Sequence, residues 1–215
     1  MQNIIVDKKH EAYEPLRAMQ KIADNARKIH GKKDSNKGLA YIHYNGEVGR
    51  FEASDGRVLL TYWWAPEELT GVHSALFEFK NGVLTDSGES YYFPECRRVI
   101  PEVGGEYNSY GERYENFYEI NSLEFSASCA PDYRLCTVLG SYGITINGQY
   151  AEVVKNLLVR FSFIATAIKT DGHIYAEKCR PIMLHGGGME YVIMPMIPSW
   201  NQIPAEVPER LKRGA

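Results

Sequence analysis

The chain has 215 residues, enough for one large or two small domains, and 44% of them are apolar against 24% charged, an ordinary balance for a globular protein. Its formal charge of −3 excludes the overall basic excess that advertises nucleic acid, although a local positive stripe is sufficient to meet phosphates. Met1–Lys9 lacks a signal-peptide core, no apolar run approaches bilayer length, and Cys96, Cys129, Cys136 and Cys179 show neither a CxxC pair nor zinc spacing. The expectation is reduced thiols, a cytoplasmic setting, no membrane partner, no metal and no cofactor.

Residues 11–30 carry the clearest helical period. Ala12, Leu16, Met19, Ala23, Ala26 and His30 recur at steps of three and four on one face. Arg17, Lys21 and Lys28 fall in a sector opposite, interrupted by Asp24, with Lys32 and Lys33 just past a stop at Gly31. Such a stripe is either a solvated polar face or a surface that meets a phosphate backbone without reading bases.

Strands follow. Leu39–Tyr44 leads through Asn45-Gly46, a hairpin signal, to Glu47–Ala53. Asp55-Gly56 precedes Val58–Trp64, and Asn81-Gly82 joins Ser74–Lys80 to Val83–Thr85. The stretch from Pro66 to Gly71 leaves room for barely one helical turn. This half reads as one helix on an antiparallel sheet.

Phe93–Pro101 is bracketed by Pro94 and Pro101, each of which fixes its own φ and removes a donor. Its Arg97-Arg98 pair and β-branched Val99 and Ile100 predict an extended, non-helical connector between two globular units. The Gly- and Tyr-rich residues 102–113 carry the boundary, giving expected domains 1–103 and 104–197 with a tail at 198–215.

In the second half Phe117–Ile120 is a strand candidate. From Leu123 to Leu139 the pattern fits no single element, and Pro131 argues against one unbroken helix. Asn147 has the place of an N-cap, and Tyr150, Val153, Val154, Leu157 and Leu158 follow at helical spacing. Phe161–Lys169 and His173–Lys178 form a hairpin about Asp171-Gly172. Arg180–Leu184, a loop at Gly186-Gly187-Gly188 and a final strand over Glu190–Met196 complete the chain.

Several of these stretches resemble the bacterial DNA polymerase III beta subunit, the sliding clamp family. Phe93–Pro101 is similar to that family's FPDYRRVxP passage from second to third domain. Ser54–Leu59, within ASDGRVLL, resembles its ATDGHRLA, with Arg57-Val58 standing where the family has His-Arg. Tyr191–Met196, YVIMPM, resembles its closing YVVMPM, and the helix at Asn147 resembles its FNxxYLxDxLxAL segment. The likeness runs from about residue 10 to 197, covers the second and third clamp domains, and has no counterpart of the first; the first half also lacks a second helix that the family carries.

What the resemblance implies is an α+β chain of two consecutive clamp-type domains, each an antiparallel sheet with one or two helices on one face. It implies a peptide pocket between them for DNA polymerase or clamp-loader segments. Carried over by position, the lining is Ser54, Gly56, Arg57, Val58 and Leu59; Pro94, Arg98 and Val99; and Val192, Ile193, Met194, Pro195 and Met196. A Leu or Phe anchor needs an apolar floor, and methionine supplies adaptable packing. The alternative is that Val192–Met196 is an ordinary core strand. The resemblance further implies a homo-oligomer, a trimer if the ring closes, around double-stranded DNA, with Arg17, Lys21, Lys28, Lys32 and Lys33 facing the duplex. A non-enclosing interaction module that keeps only the pocket is the alternative function. No nucleophile elbow, P-loop or HExxH occurs, and His30, His43, His73, His173 and His185 lack ligand spacing, so no enzyme is expected.

Overall fold

A computed structural model describes residues 3–30, 34–107, 111–126, 131–170, 173–174 and 180–196. The tail at 198–215, Gly31, Lys32, Lys33 and the turn at Asp171-Gly172 therefore lie outside the described residues, as do Cys129 and Cys179, while Cys96 and Cys136 are in no disulfide.

The first half opens with β1 (Asn3–Ile5) and α1 (Tyr13–His30), then β2 (Ile42–Asn45), β3 (Arg50–Ser54), β4 (Val58–Trp63), β5 (Ser74–Lys80) and β6 (Val83–Asp86). The second holds β7 (Arg113–Ile120), α2 (Ser122–Ser126), α3 (Pro131–Ser141), α4 (Gly148–Arg160), β8 (Phe163–Thr170), β9 (His173–Ile174), β10 (Ile182–Gly186) and β11 (Met189–Ile193). All named strands join one 11-stranded sheet in the order β1-β6-β5-β2-β3-β4-β11-β10-β8-β7, with β9 beside β8. Every strand pair in it is antiparallel. The chain is α+β.

The sheet crosses from one half to the other at the β4–β11 seam, where Met189 pairs with Tyr62, Tyr191 with Leu60 and Ile193 with Val58. Side chains alternate across a strand. Val58, Leu60 and Tyr62 join Tyr191 and Ile193 on the face that packs against α1 and α4, in one contiguous core with Leu16, Met19, Ile22, Val154 and Leu157. Leu59 and Val192 point to the other face. The Tyr191 hydroxyl donates to the Tyr150 carbonyl at 2.9 Å and ties α4 to the seam. Asn147 caps α4 as its position predicts, its side chain accepting from the Gln149 amide at 2.9 Å.

Several expectations need correction. Leu39 and Ala40 close a 3-10 helix over Asp34–Ala40 and are not strand, and the ladder starts at Ile42. Within that turn Gly38 runs against the Tyr92 backbone, where a Cβ would lie 2.1 Å from the carbonyl oxygen, so the close approach requires glycine. Asn45-Gly46 is not a two-residue turn, because Asn45 pairs with Arg50 and Gly46–Gly49 form the loop. Gly46 is needed for space, since a Cβ there would lie 1.7 Å from the Val72 oxygen. Asn81-Gly82 does form the two-residue turn, with φ of 52° and 80°. The three-glycine loop is a tighter hairpin, with Gly186 still paired to Met189 and only Gly187 and Gly188 turning. Cys96–Arg98 make one 3-10 turn inside the connector that was expected to be extended. Its two prolines fix only their own φ, and the Val99 amide is free to close the turn onto the Cys96 carbonyl at 3.0 Å. Pro131 separates α2 from α3 by opening α3, where its missing N–H costs nothing.

Candidate peptide-docking site

The Ser54–Leu59 motif builds a tight β3–β4 turn. Asp55 Oδ1 accepts from the amides of Arg57 at 2.9 Å and Val58 at 3.1 Å. Ser54 Oγ donates to the Val58 carbonyl at 2.8 Å and accepts from the Gly56 amide at 3.1 Å, and Gly56 takes φ of 86°. The chemistry of the turn thus explains Ser, Asp and Gly, and leaves Leu59 on the face away from the helices. His30 fixes the turn from α1: Nε2 donates to the Asp55 carbonyl at 2.9 Å, and Nδ1 accepts from Asn36 at 3.2 Å.

Across the seam, Leu59 and Val192 sit in a small apolar cluster with Leu39, Leu76, Met183, Phe93 and Cys96. Phe93 lies flat on His43, ring centres 4.7 Å apart and planes at 17°. Burial drives the Cys96 thiol well above its ordinary range, so it is a packing group, not a nucleophile. Beside this cluster a cavity of about 670 Å³ opens between β4, the end of β11 and the connector. Ser54, Gly56, Arg57, Val58, Leu59, Pro94, Arg98, Val99, Val192 and Met194 all border it. Val99 is 53% exposed and Met194 38% exposed at its mouth, an apolar rim over a sealed apolar floor. At the rim, the exposed Arg98 side chain reaches Glu95 at 2.8 Å.

Ile193, Pro195 and Met196 do not border the cavity. For Ile193 the reason is the two-residue period of a strand, which sends it to the face opposite Val192, while Pro195 and Met196 lie beyond the end of the strand. Ile193 is fully buried in the helix-side core, Pro195 is buried, and Met196 donates its amide to the Thr145 carbonyl at 2.8 Å. Among the bordering residues that sequence reading missed are Tyr114, Glu102, Arg180 and Pro181. Glu102 immediately follows the connector motif and was within reach of it. Tyr114, whose hydroxyl burial pushes up to about 12, and Arg180, paired to Glu112 at 2.9 Å, come from β7 and the approach to β10 and carry no local signal.

Next to the cavity on the same face, a polar network crosses the strands. His43 Nδ1 meets Glu52 at 2.9 Å, and His43 Nε2 meets Ser74 Oγ at 2.9 Å. Arg50 Nε donates to Glu52 at 2.7 Å, and the Thr61 hydroxyl donates to Glu190 at 2.9 Å. Burial alone would raise the Glu52 carboxyl, but hydrogen bonds from His43 and Arg50 and the Arg50 charge outweigh it and hold it below the usual carboxylate range.

On the helix face, Arg17 is exposed with Glu14 at 3.7 Å, and Lys28 is exposed. Lys21 is half-buried and lines a groove between α1 and α4 with Lys28, Asp24, Asp55 and Glu152. The predicted basic stripe is thus interleaved with carboxylates. Among the described residues no group of His, Cys, Asp and Glu is arranged to hold a metal ion, and no helix is long and apolar enough to cross a membrane.

No protein-family model matches the chain, and no curated protein matches it. Among solved structures, it is similar to the Helicobacter pylori beta clamp bound to a DNA ligase peptide, at 11% identity and a TM-score of 0.46 over 91% of this chain and 66% of that one. It is similar to the DNA polymerase III beta chain of Streptococcus pneumoniae at 12% identity and a TM-score of 0.48, over 92% of this chain and 65% of that one. The Caulobacter crescentus beta sliding clamp gives 15% identity and a TM-score of 0.44, over 92% and 66%. The chain therefore spans somewhat less than two thirds of the length of these proteins.

Proposed function

We propose that this chain is a clamp-like processivity factor made of two clamp-type domains, 1–103 and 104–197, which docks partner peptides beside the β4–β11 seam and encloses double-stranded DNA as a homo-oligomer. The observation that carries the reading is convergence. Leu59, Val99 and Met194 come from stretches far apart in the chain, each similar to a pocket segment of the sliding clamps, and all three border one cavity. Its apolar floor and half-exposed methionine and valine rim suit a Leu or Phe anchor of a polymerase or loader peptide. The sheet ends at β1 on one side and β7 on the other, two different edges, which supports head-to-tail association. With two domains per chain, a six-domain ring takes three copies. The helix face, with Arg17, Lys21 and Lys28, turns inward in this arrangement.

A second reading is a peptide-docking module with no ring. The carboxylates of Asp24, Asp55 and Glu152 beside Lys21 and Lys28 favour it, because they oppose a phosphate backbone.

Retention on nicked circular DNA during gel filtration separates the two. A ring stays on circular DNA and is released when the DNA is linearised. Peptide binding without such retention would leave the module and remove the clamp.

A further inference from the structure

The connector has two sides. Phe93–Cys96 and Ile100–Glu102 border the peptide cavity on one side and a larger groove of about 1060 Å³ on the other. That second groove lies over the polar network of His43, Arg50, Glu52 and Glu190, and nothing in the docking reading uses it.

Its chemistry is acidic and aromatic. Glu47, Glu52, Glu95, Glu102 and Glu190 line it, against the guanidinium groups of Arg50 and Arg97. Arg50 is buried and already committed to Glu52 at 2.7 Å, with Glu190 at 3.8 Å. Glu47 and Glu102 are exposed and have no ion pair among the described residues. Trp63 is 49% exposed, and the Arg50 guanidinium sits over its ring, 5.4 Å from the centre. The groove thus holds one guanidinium on an aromatic ring between carboxylates, with further carboxylates and the exposed Tyr92 ring left over. Carboxylates with open aromatic faces attract cations and repel phosphates.

We propose that this groove receives an arginine or lysine of the same partner peptide that fills the seam cavity. The preferred ligand is then an apolar anchor flanked by basic residues, with the peptide passing over the connector that both sites share. The inference rests on the peptide-docking reading and adds the charge of the partner to it.

The test uses two fluorescein-labelled peptides and the full chain. Each peptide has a central Leu-Phe pair, flanked on both sides by two arginines in one and by two glutamines in the other. Anisotropy titrations are expected to show the arginine peptide about five- to tenfold tighter, the scale of one or two exposed cation–π and charge contacts. The preference should shrink below about twofold in a Glu47→Gln/Glu102→Gln variant, whose sites are exposed and leave the fold intact, and in Trp63→Leu. Met194→Gln, which adds no charge, should weaken both peptides equally. Equal affinity of the two peptides for the native chain would overturn the inference and leave the cavity reading standing. A preference that survives both groove variants would overturn it as well, by assigning the charge effect elsewhere. If neither peptide binds, the docking reading and the inference fall together.

Discussion

Leu59 and Val192 stand opposite each other across the β4–β11 seam. They are 3% and 4% exposed, and they form the floor on which the connector and the cavity rest. One residue along in either direction, the paired side chains belong to the helix-side core instead. The seam is therefore at once the joint between the two halves of the sheet and the base of the candidate docking site.

Because the floor is shared with the fold, the informative substitutions are at the rim. Val99→Asp and Met194→Glu, both at half-exposed positions, should lower affinity for a Leu-Phe peptide by tenfold or more, about 1.4 kcal/mol each. Melting temperature should stay within about 2 °C, since exposed substitutions change stability little. Val192→Ala, by contrast, should cost about 1–3 kcal/mol of stability through the cavity it leaves. Peptide titration beside thermal melts separates the two effects.

The Arg50–Glu52 pair gives a second prediction. Glu52→Leu leaves a guanidinium that is 9% exposed without its main partner and should destabilise by about 3 kcal/mol. The double replacement Arg50→Met/Glu52→Leu should recover most of that loss. The pH dependence follows from the Glu52 shift. Its carboxyl is held below 4.5 in the folded chain, so its contribution is complete above the unfolded value near 4.5 and is lost as pH falls through the lower folded value. Melts between pH 3 and pH 6 should show a steeper acid loss in the native chain than in the double variant.

Two glycines should respond with opposite sign. Gly46→Ala drives a Cβ to 1.7 Å from the Val72 carbonyl oxygen, and a backbone atom cannot swing away, so destabilisation of about 2–3 kcal/mol is expected. Gly140 lies in α3 with open space around its Cα. Gly140→Ala should stabilise by about 0.5–1 kcal/mol. Chemical denaturation midpoints measure both.

On the helix face, Lys21→Gln/Lys28→Gln should weaken DNA retention and reduce the dependence of log affinity on log salt by about two. An unchanged slope would take both residues out of phosphate contact.

Much of this was legible in the sequence. The apolar period that gives α1, the Asn147 cap of α4 and the Asn81-Gly82 turn are local signals, and each formed as its chemistry dictates. Leu59, Pro94, Val99, Val192 and Met194 could be named because motifs carried them. What the motifs could not convey was facing. A run such as Val192–Met196 reads as one block in sequence, yet strand alternation sends Ile193 to the opposite core. Steric demands from distant backbone were likewise hidden: Gly38 turns under Tyr92, and Gly46 under Val72. The polar network of His43, Arg50, Glu52 and Glu190 gave no signal either, since its members sit on three strands and meet only through sheet register.

The central claim is that copies of this chain close a ring. Solution mass by light scattering across a concentration series tests it most directly. A discrete species of three chains, stable on dilution, is the predicted result. A monomer that persists at the highest concentration would contradict the self-assembled ring, and would leave the cavity floored by Leu59 and Val192 as a docking site on a module that does not enclose DNA.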